Sequence, residues 1–257
     1  PSIFVHGYMS NAGYEDVRAT IADSINRRFG TSFNQSNIIM TVGAAGGMNV
    51  IFKTILNPGD EVLTFSPYFV EYNSYVSNYD GKLVAIDPDT ETFQANIEDL
   101  ERKITPKTKA LIINNPNNPT GVVYSEETIK KVAAILDAKQ KEYGTEIFIV
   151  SDEPYRELAY DGVEVPHITK YYNNTIVGYS FSKSLSLPGE RIGYLVIPDE
   201  VDDAEQMKTA AAIATRVLGF VNAPSLMQRA VARCIDAKCD VDSYNRNREA
   251  LYNGLVK

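Results

Sequence analysis

Lys183 lies in Ser180-Phe181-Ser182-Lys183, directly after the apolar run 175–179 and eight residues ahead of Arg191. A lysine amine attacks carbonyl carbon and can hold an aldehyde as a Schiff base. The flanking hydroxyls and the arginine of Gly189-Glu190-Arg191 are groups that hold phosphate. Taken alone, the cluster reads as a solvated surface loop. A second group is Asp152, in Ser151-Asp152-Glu153-Pro154-Tyr155 after the apolar run 147–150. An acid in that place can neutralise a buried cation or hold a metal. Alone, Asp152 reads as a helix cap and Tyr155 as core. A third is Asn114-Asn115-Pro116-Asn117-Asn118-Pro119-Thr120-Gly121, whose Asn and Pro content is that of a turn. A rigid prolyl turn can nonetheless aim an amide side chain at little entropic cost. Finally, Gly43-Ala44-Ala45-Gly46-Gly47 precedes a helical segment, where backbone amides and small side chains let an anion approach. Neither a P-loop Lys-Ser/Thr nor G-x-G-x-x-G completes it.

These groups need a scaffold that brings chain segments far apart in sequence to one place. Short apolar runs at 38–42, 61–65, 82–86, 110–114, 147–151, 175–179 and 192–197 read as strands. Amphipathic segments alternate with them. Residues 15–28 place Val17, Ile21 and Ile25 at helical spacing. Residues 48–56 have helical character up to Asn57-Pro58-Gly59-Asp60, and a helix follows Ser66-Pro67-Tyr68-Phe69. Residues 125–143 read as a helix capped by Ser125, with Glu126 and Glu127 in the first turn. Strands separated by helices predict an α/β chain with a mainly parallel sheet sandwiched by helices, a three-layer α/β/α architecture. Such sheets bind ligands beyond the carboxyl ends of their strands, which is where every group above falls.

Together the groups match one chemistry. Pyridoxal 5′-phosphate needs a lysine for its aldehyde, and amides, hydroxyls and an arginine for its phosphate. A carboxylate must keep its ring nitrogen protonated so that the ring accepts electrons. On these residues the chain resembles the fold-type I pyridoxal-phosphate aminotransferases of class I/II, with the motifs in the family's order. Ser180-Phe181-Ser182-Lys183 with Arg191 is similar to the family's lysine signature, and Asn117-Asn118-Pro119-Thr120-Gly121 and Asp152-Glu153-Pro154-Tyr155 to its other two marks. The resemblance implies transfer of an amino group between an amino acid and a 2-oxo acid. It implies that Lys183 holds the cofactor and moves the proton, and that Asp152 pairs with the ring nitrogen. Tyr155 and Asn118 would bond the 3′-oxygen, lowering the imine pKa, and Phe69 would stack on the ring. Arg191, Ser180, Ser182 and the amides of Ala44 and Ala45 would hold the phosphate. Ala44 and Ala45 stand where many relatives carry a hydroxyl or a charge. Tyr8 sits where the family sends a tyrosine to the neighbouring subunit's phosphate, which implies a homodimer. A carbon–sulfur or β/γ-lyase on the same scaffold, and an aminotransferase-like sensor domain, are the alternative functions.

The resemblance also implies a division of the chain. Residues 1–240 correspond to the cofactor-binding large domain, and 241–257 to the start of the helix leading into a small C-terminal domain. No residue matches the family's arginine for the substrate carboxylate. The chain begins at Pro1 and stops within a helical segment. The expectation is a fragment that folds around its sheet and transaminates weakly.

Composition narrows the partners. The 257 residues carry 25 Lys+Arg against 33 Asp+Glu, a net charge of −8 that repels phosphate backbones and argues against nucleic acid. No run approaches the ~20 apolar residues of a membrane span, and nothing reads as a signal peptide. Two cysteines, Cys234 and Cys239, build neither a disulfide framework nor a zinc site and suit the cytoplasm. They are placed five apart on a helix as inert thiols. His6 and His167 are expected to be structural, Lys103, Lys107 and Lys109 to form a solvated turn, and Tyr171 and Tyr172 to pack at a strand edge.

Overall fold

A computed structural model describes residues 6–256; residues 1–5 and Lys257, the outer ends of the expected domains, lie outside it. Its layers follow from the alternation of side chains along each strand. The strands are β1 (Ile38–Thr41), β2 (Glu61–Phe65), β3 (Lys82–Ile86), β4 (Thr108–Asn114), β5 (Phe148–Asp152), β6 (Thr175–Ser180) and β7 (Gly193–Val196). They form one sheet in the order β1-β7-β6-β5-β4-β2-β3. Ile39, Val62, Ile112, Val150 and Leu195 pack to one side with α2 (Gly43–Ile55), α3 (Tyr72–Ser77) and α7 (Ala204–Val217). Their sequence neighbours point the other way. Leu63, Leu111 and Ile149 meet α4 (Ile97–Lys103) and α5 (Glu126–Tyr143), and Ile38, Met40 and Tyr194 meet α1 (Glu15–Phe29) and α8 (Ser225–Arg233). This is the expected three-layer α/β/α arrangement. Each such aliphatic residue taken fully out of water contributes about 1.5–3 kcal/mol.

The helix boundaries have local causes. α1 carries Glu15 and Asp16 in its first turn, Arg27 and Arg28 in its last, and ends at Gly30 in the left-handed region. α5 begins where the Ser125 side chain accepts from the Thr128 amide and ends at left-handed Gly144. Two expectations need correction. The small-residue stretch 43–47 does not precede a helix but is its first turn and more, since α2 starts at Gly43. Cys234 caps the end of α8, and Cys239 lies between α8 and α9 (Val241–Leu255), so the two thiols share no helix. The lysines at 103–109 also divide. Lys103 ends α4 and pairs with Asp99 and Asp87, while Lys109 lies in β4 and pairs with Glu146. No described residue of α9 is buried.

One topological detail positions the site. β2 to β6 pair in parallel through β3-β2-β4-β5-β6, but β7 runs antiparallel to both β6 and β1. β1 is therefore parallel to β6, and β7 begins at the edge where the others end. Residues that follow β1, β2, β4, β5 and β6 meet there with the residue just ahead of β7, which is how Arg191 joins them.

Candidate active site

At that edge lies a cavity of about 240 Å³. Ala44 and Ala45 from α2, Phe69 after β2, Asn118 after β4, Asp152 at the end of β5 and Tyr155 beyond it all line it. So do Ser180 at the end of β6, Ser182 and Lys183 after it, and Arg191 ahead of β7. Tyr8 stands apart. It is 95% exposed and lines a separate depression beside Phe220 and Asn222.

Asp152 is the most constrained member. Its Oδ2 accepts a 2.6 Å hydrogen bond from the Tyr72 hydroxyl, while Oδ1 is buried without a protein partner. Burial raises the carboxyl to a pKa of about 6; the Tyr72 bond works against that rise and the neighbouring Glu153 adds to it. Glu153, also buried, is neutralised by Arg156 Nε at 2.5 Å and accepts from Ser151 Oγ at 2.7 Å. Despite burial, those partners hold its carboxyl below the ordinary range. Arg156 donates onward to the carbonyls of Val165 and Pro166, tying down the chain beyond Tyr155.

Asn118 Nδ2 donates to the Tyr155 hydroxyl at 3.2 Å, and Lys183 Nζ lies 5.8 Å from the centre of the Tyr155 ring. Burial and the charge of Asp152 push the Tyr155 phenol up, so it stays protonated as a donor at neutral pH. Phe69 meets Tyr72 edge to face at 5.7 Å, which fixes the plane of its ring.

The opposite wall is an anion cradle. α2 starts without a side-chain cap, which leaves the amides of its first turn without a side-chain acceptor. Gly43, at φ +68°, lets the Arg191 guanidinium come close, since a Cβ there would stand 2.8 Å from Arg191 Nη2. A guanidinium held against a helix N-terminus is favourable only with an anion between them. Ser180 caps the four-residue turn α6 (Phe181–Ser184), and its hydroxyl shares a 2.6 Å bond with Ser182.

The residues present fit pyridoxal 5′-phosphate. The orphaned, buried Oδ1 of Asp152 is an acceptor for a protonated ring nitrogen. The space that a side chain at residue 43 would fill is taken by the Arg191 guanidinium, a group suited to pair with a phosphate. Sequence reasoning missed Met48, Tyr72, Tyr75 and Asn114, which also line the cavity. Asn114 closes β4 and Tyr72 lies just past the Ser66-Pro67 break, so the rule that pointed to the other post-strand residues reached both. Neither stood out because each also reads as ordinary strand or helix. A larger cleft of about 420 Å³ lies between α1 and residues 235–241, beside Arg28, Glu157 and Tyr194; none of the predicted residues line it.

The profile of the family "Aminotransferase class I and II" matches residues 4–257. Aspartate aminotransferase of Sulfolobus acidocaldarius is 32% identical over 97% of this chain, which spans 62% of that protein. A crystal structure of an amino transferase from Eubacterium rectale superposes with TM-score 0.98 at 49% identity, covering 100% of this chain and 65% of that one. Aspartate aminotransferase from Thermus thermophilus, solved with maleate, gives TM-score 0.87 at 30% identity, covering 98% and 65%. The chain thus spans under two thirds of these relatives. With its motifs in order, its site assembled and its sheet superposed, the chain belongs to the class I and II aminotransferases, a family that uses pyridoxal phosphate.

Proposed function

We propose that the chain is the cofactor-binding part of a transaminase that moves an amino group between an amino acid and a 2-oxo acid. The reading rests on one observation above the rest: the unpartnered Oδ1 of Asp152 shares a cavity with Lys183 and Arg191. Bound there, pyridoxal phosphate supplies an aldehyde for covalent attachment and a ring that accepts the electron pair of a bond broken at the substrate Cα. Lys183 Nζ is the attachment point. When not attached, Nζ would be the base positioned to take the proton from the substrate Cα. Asp152 holds a proton on the ring nitrogen through Oδ1. Tyr155 and Asn118 donate to the 3′-oxygen, and Phe69 orients the ring by stacking. Arg191, Ser180, Ser182 and the amides of Ala44 and Ala45 hold the phosphate.

Residues 1–240 form the cofactor-binding unit in this proposal, and 241–257 begin a linking helix, in keeping with the fully unburied described part of α9. The whole enzyme is a homodimer, and the 95% exposed Tyr8 reaches the neighbouring site. The 257-residue chain alone binds cofactor and turns over weakly, since it spans 62% of the Sulfolobus relative. Among the described residues no helix is long and apolar enough to cross a membrane, and the two cysteines are free. Both suit the cytoplasm.

The test is to load the chain with pyridoxal phosphate, reduce with borohydride and locate the modified residue by mass spectrometry. Modification at Lys183, lost in Lys183→Ala, is the expected result. Modification spread over surface lysines instead removes Lys183 from its role. Turnover of an amino acid with 2-oxoglutarate, measured beside release of pyruvate or ammonia, separates a transaminase from a lyase.

A further inference from the structure

Asn114 is the last residue of β4 and stands opposite Asp152 in the ladder between β4 and β5. Its side chain is buried, and both ends of its carboxamide are used. Nδ2 donates to the Asp152 carbonyl at 2.9 Å, and Oδ1 accepts from the Asn118 amide at 2.6 Å. One planar group therefore spans the two strand ends. On one side hangs the carboxylate that faces the ring nitrogen. On the other is Asn118, which donates to Tyr155 at 3.2 Å.

The strand ladder stops at this register, so beyond it main-chain bonds no longer relate the loop of Asn118 to that of Asp152. A leucine of the same size would continue the core but leave the Asp152 carbonyl and the Asn118 amide unpaired. We infer that Asn114 is a positioning residue for the reaction: its carboxamide sets the separation between the ring-nitrogen contact at Asp152 and the 3′-oxygen donors Asn118 and Tyr155. This rests on the pyridoxal phosphate reading of the cavity. Its consequence is chemical as well as structural. The 3′-oxygen donors depress the pH at which the attached cofactor's absorbance titrates, and that depression holds only while Asn118 stays in place.

The experiment compares wild type, Asn114→Ala, Asn118→Ala and the double variant, each loaded with pyridoxal phosphate. The readouts are cofactor affinity and the midpoint of the absorbance–pH titration. Asn114→Ala is expected to raise the midpoint by about one pH unit and to weaken cofactor binding roughly tenfold, the scale for losing a pair of buried hydrogen bonds. Because Asn114 acts through Asn118, the double variant should show little more midpoint shift than Asn118→Ala alone. A purely structural Asn114 gives the opposite pattern: a lower melting temperature with an unmoved midpoint, or shifts that simply add. Either overturns the inference. Should Asn114→Ala fail to fold, Asn114→Ser carries the same titration, and failure of both to fold also counts against it. If wild type itself attaches no cofactor at Lys183, the reading of the cavity fails instead, and the two failures are told apart.

Discussion

Tyr72 and Asp152, 80 residues apart, meet in a 2.6 Å bond from the phenol to Oδ2 that turns Oδ1 into the carboxylate's one unpartnered oxygen. Burial of Tyr72, together with the Asp152 charge beside it, raises its phenol pKa well above the ordinary range, so it donates and never competes for the proton. The bond does two things. It fixes the carboxylate plane, and it favours the ionised form that a pyridinium partner requires.

Tyr72→Phe removes that donor without opening a large space. The Asp152 pKa, already about 6, should climb further, and cofactor should bind roughly tenfold more weakly at pH 7, the usual scale for a bond to a charged group. The loss should deepen as pH falls toward 6, because more of the carboxyl is then protonated. Fluorescence titration with pyridoxal phosphate at two pH values measures it, and an affinity equal to wild type at both would refute the assignment.

Asp152 costs the cofactor-free protein stability. Its folded pKa of about 6 lies above the ordinary 3.8, so the folded state binds the proton more tightly and stability declines as pH rises from about 4 to about 6. At 1.36 kcal/mol per unit the decline is about 3 kcal/mol. Asp152→Asn should therefore melt higher than wild type at pH 7 without cofactor, yet gain nothing when pyridoxal phosphate is added. A lower melting temperature for the apo variant would contradict this.

His167 works in the opposite direction. It is buried, stacked 4.5 Å from the Phe29 ring, and both its ring nitrogens lack partners. Burial lowers its pKa to about 4 from the ordinary 6.5. The neutral form is the folded form, so its contribution is complete above pH 6.5 and is lost as pH falls toward 4. Over the shared range it offsets Asp152. His167→Phe should fold and should expose the Asp152 slope, with stability rising on acidification from pH 6.5 to 4.5. Thermal scans across that interval decide it; a variant that loses stability on acidification as steeply as Asp152→Asn would dismiss the explanation.

Gly193 is where β7 must pass close to its neighbours. A Cβ there would lie 2.3 Å from the Tyr179 carbonyl and 3.2 Å from the Gly43 carbonyl carbon. Gly193→Ala forces the first turn of α2 and the end of β6 apart, at a cost of about 1–3 kcal/mol. It should also weaken phosphate binding, because that turn carries the cradle. Urea denaturation and inorganic phosphate titration report the two effects; normal stability in the variant would show that the strands simply separate.

The local pattern of residues determined a good deal. Each of the seven apolar runs became a strand with ends within about two residues of those read, and the Ser125 cap began α5 as expected. The reason is that alternation, caps and breakers act over a few residues, which is the range at which a sequence can be read. Most of the candidate site residues were legible for the same reason, since they lie at or within about four residues of a strand's end and the lysine signature is short, whereas Arg191 precedes its strand and Tyr8 stands apart. Tertiary structure alone decided the rest. The antiparallel course of β7 brings Arg191 to Gly43, the Tyr72 phenol finds Asp152, and the Asn114 carboxamide joins two loops. Strand direction and register are chosen by which whole arrangement buries the most apolar surface. Every one of these contacts is a by-product of that choice, between residues whose neighbours in sequence carry no trace of it.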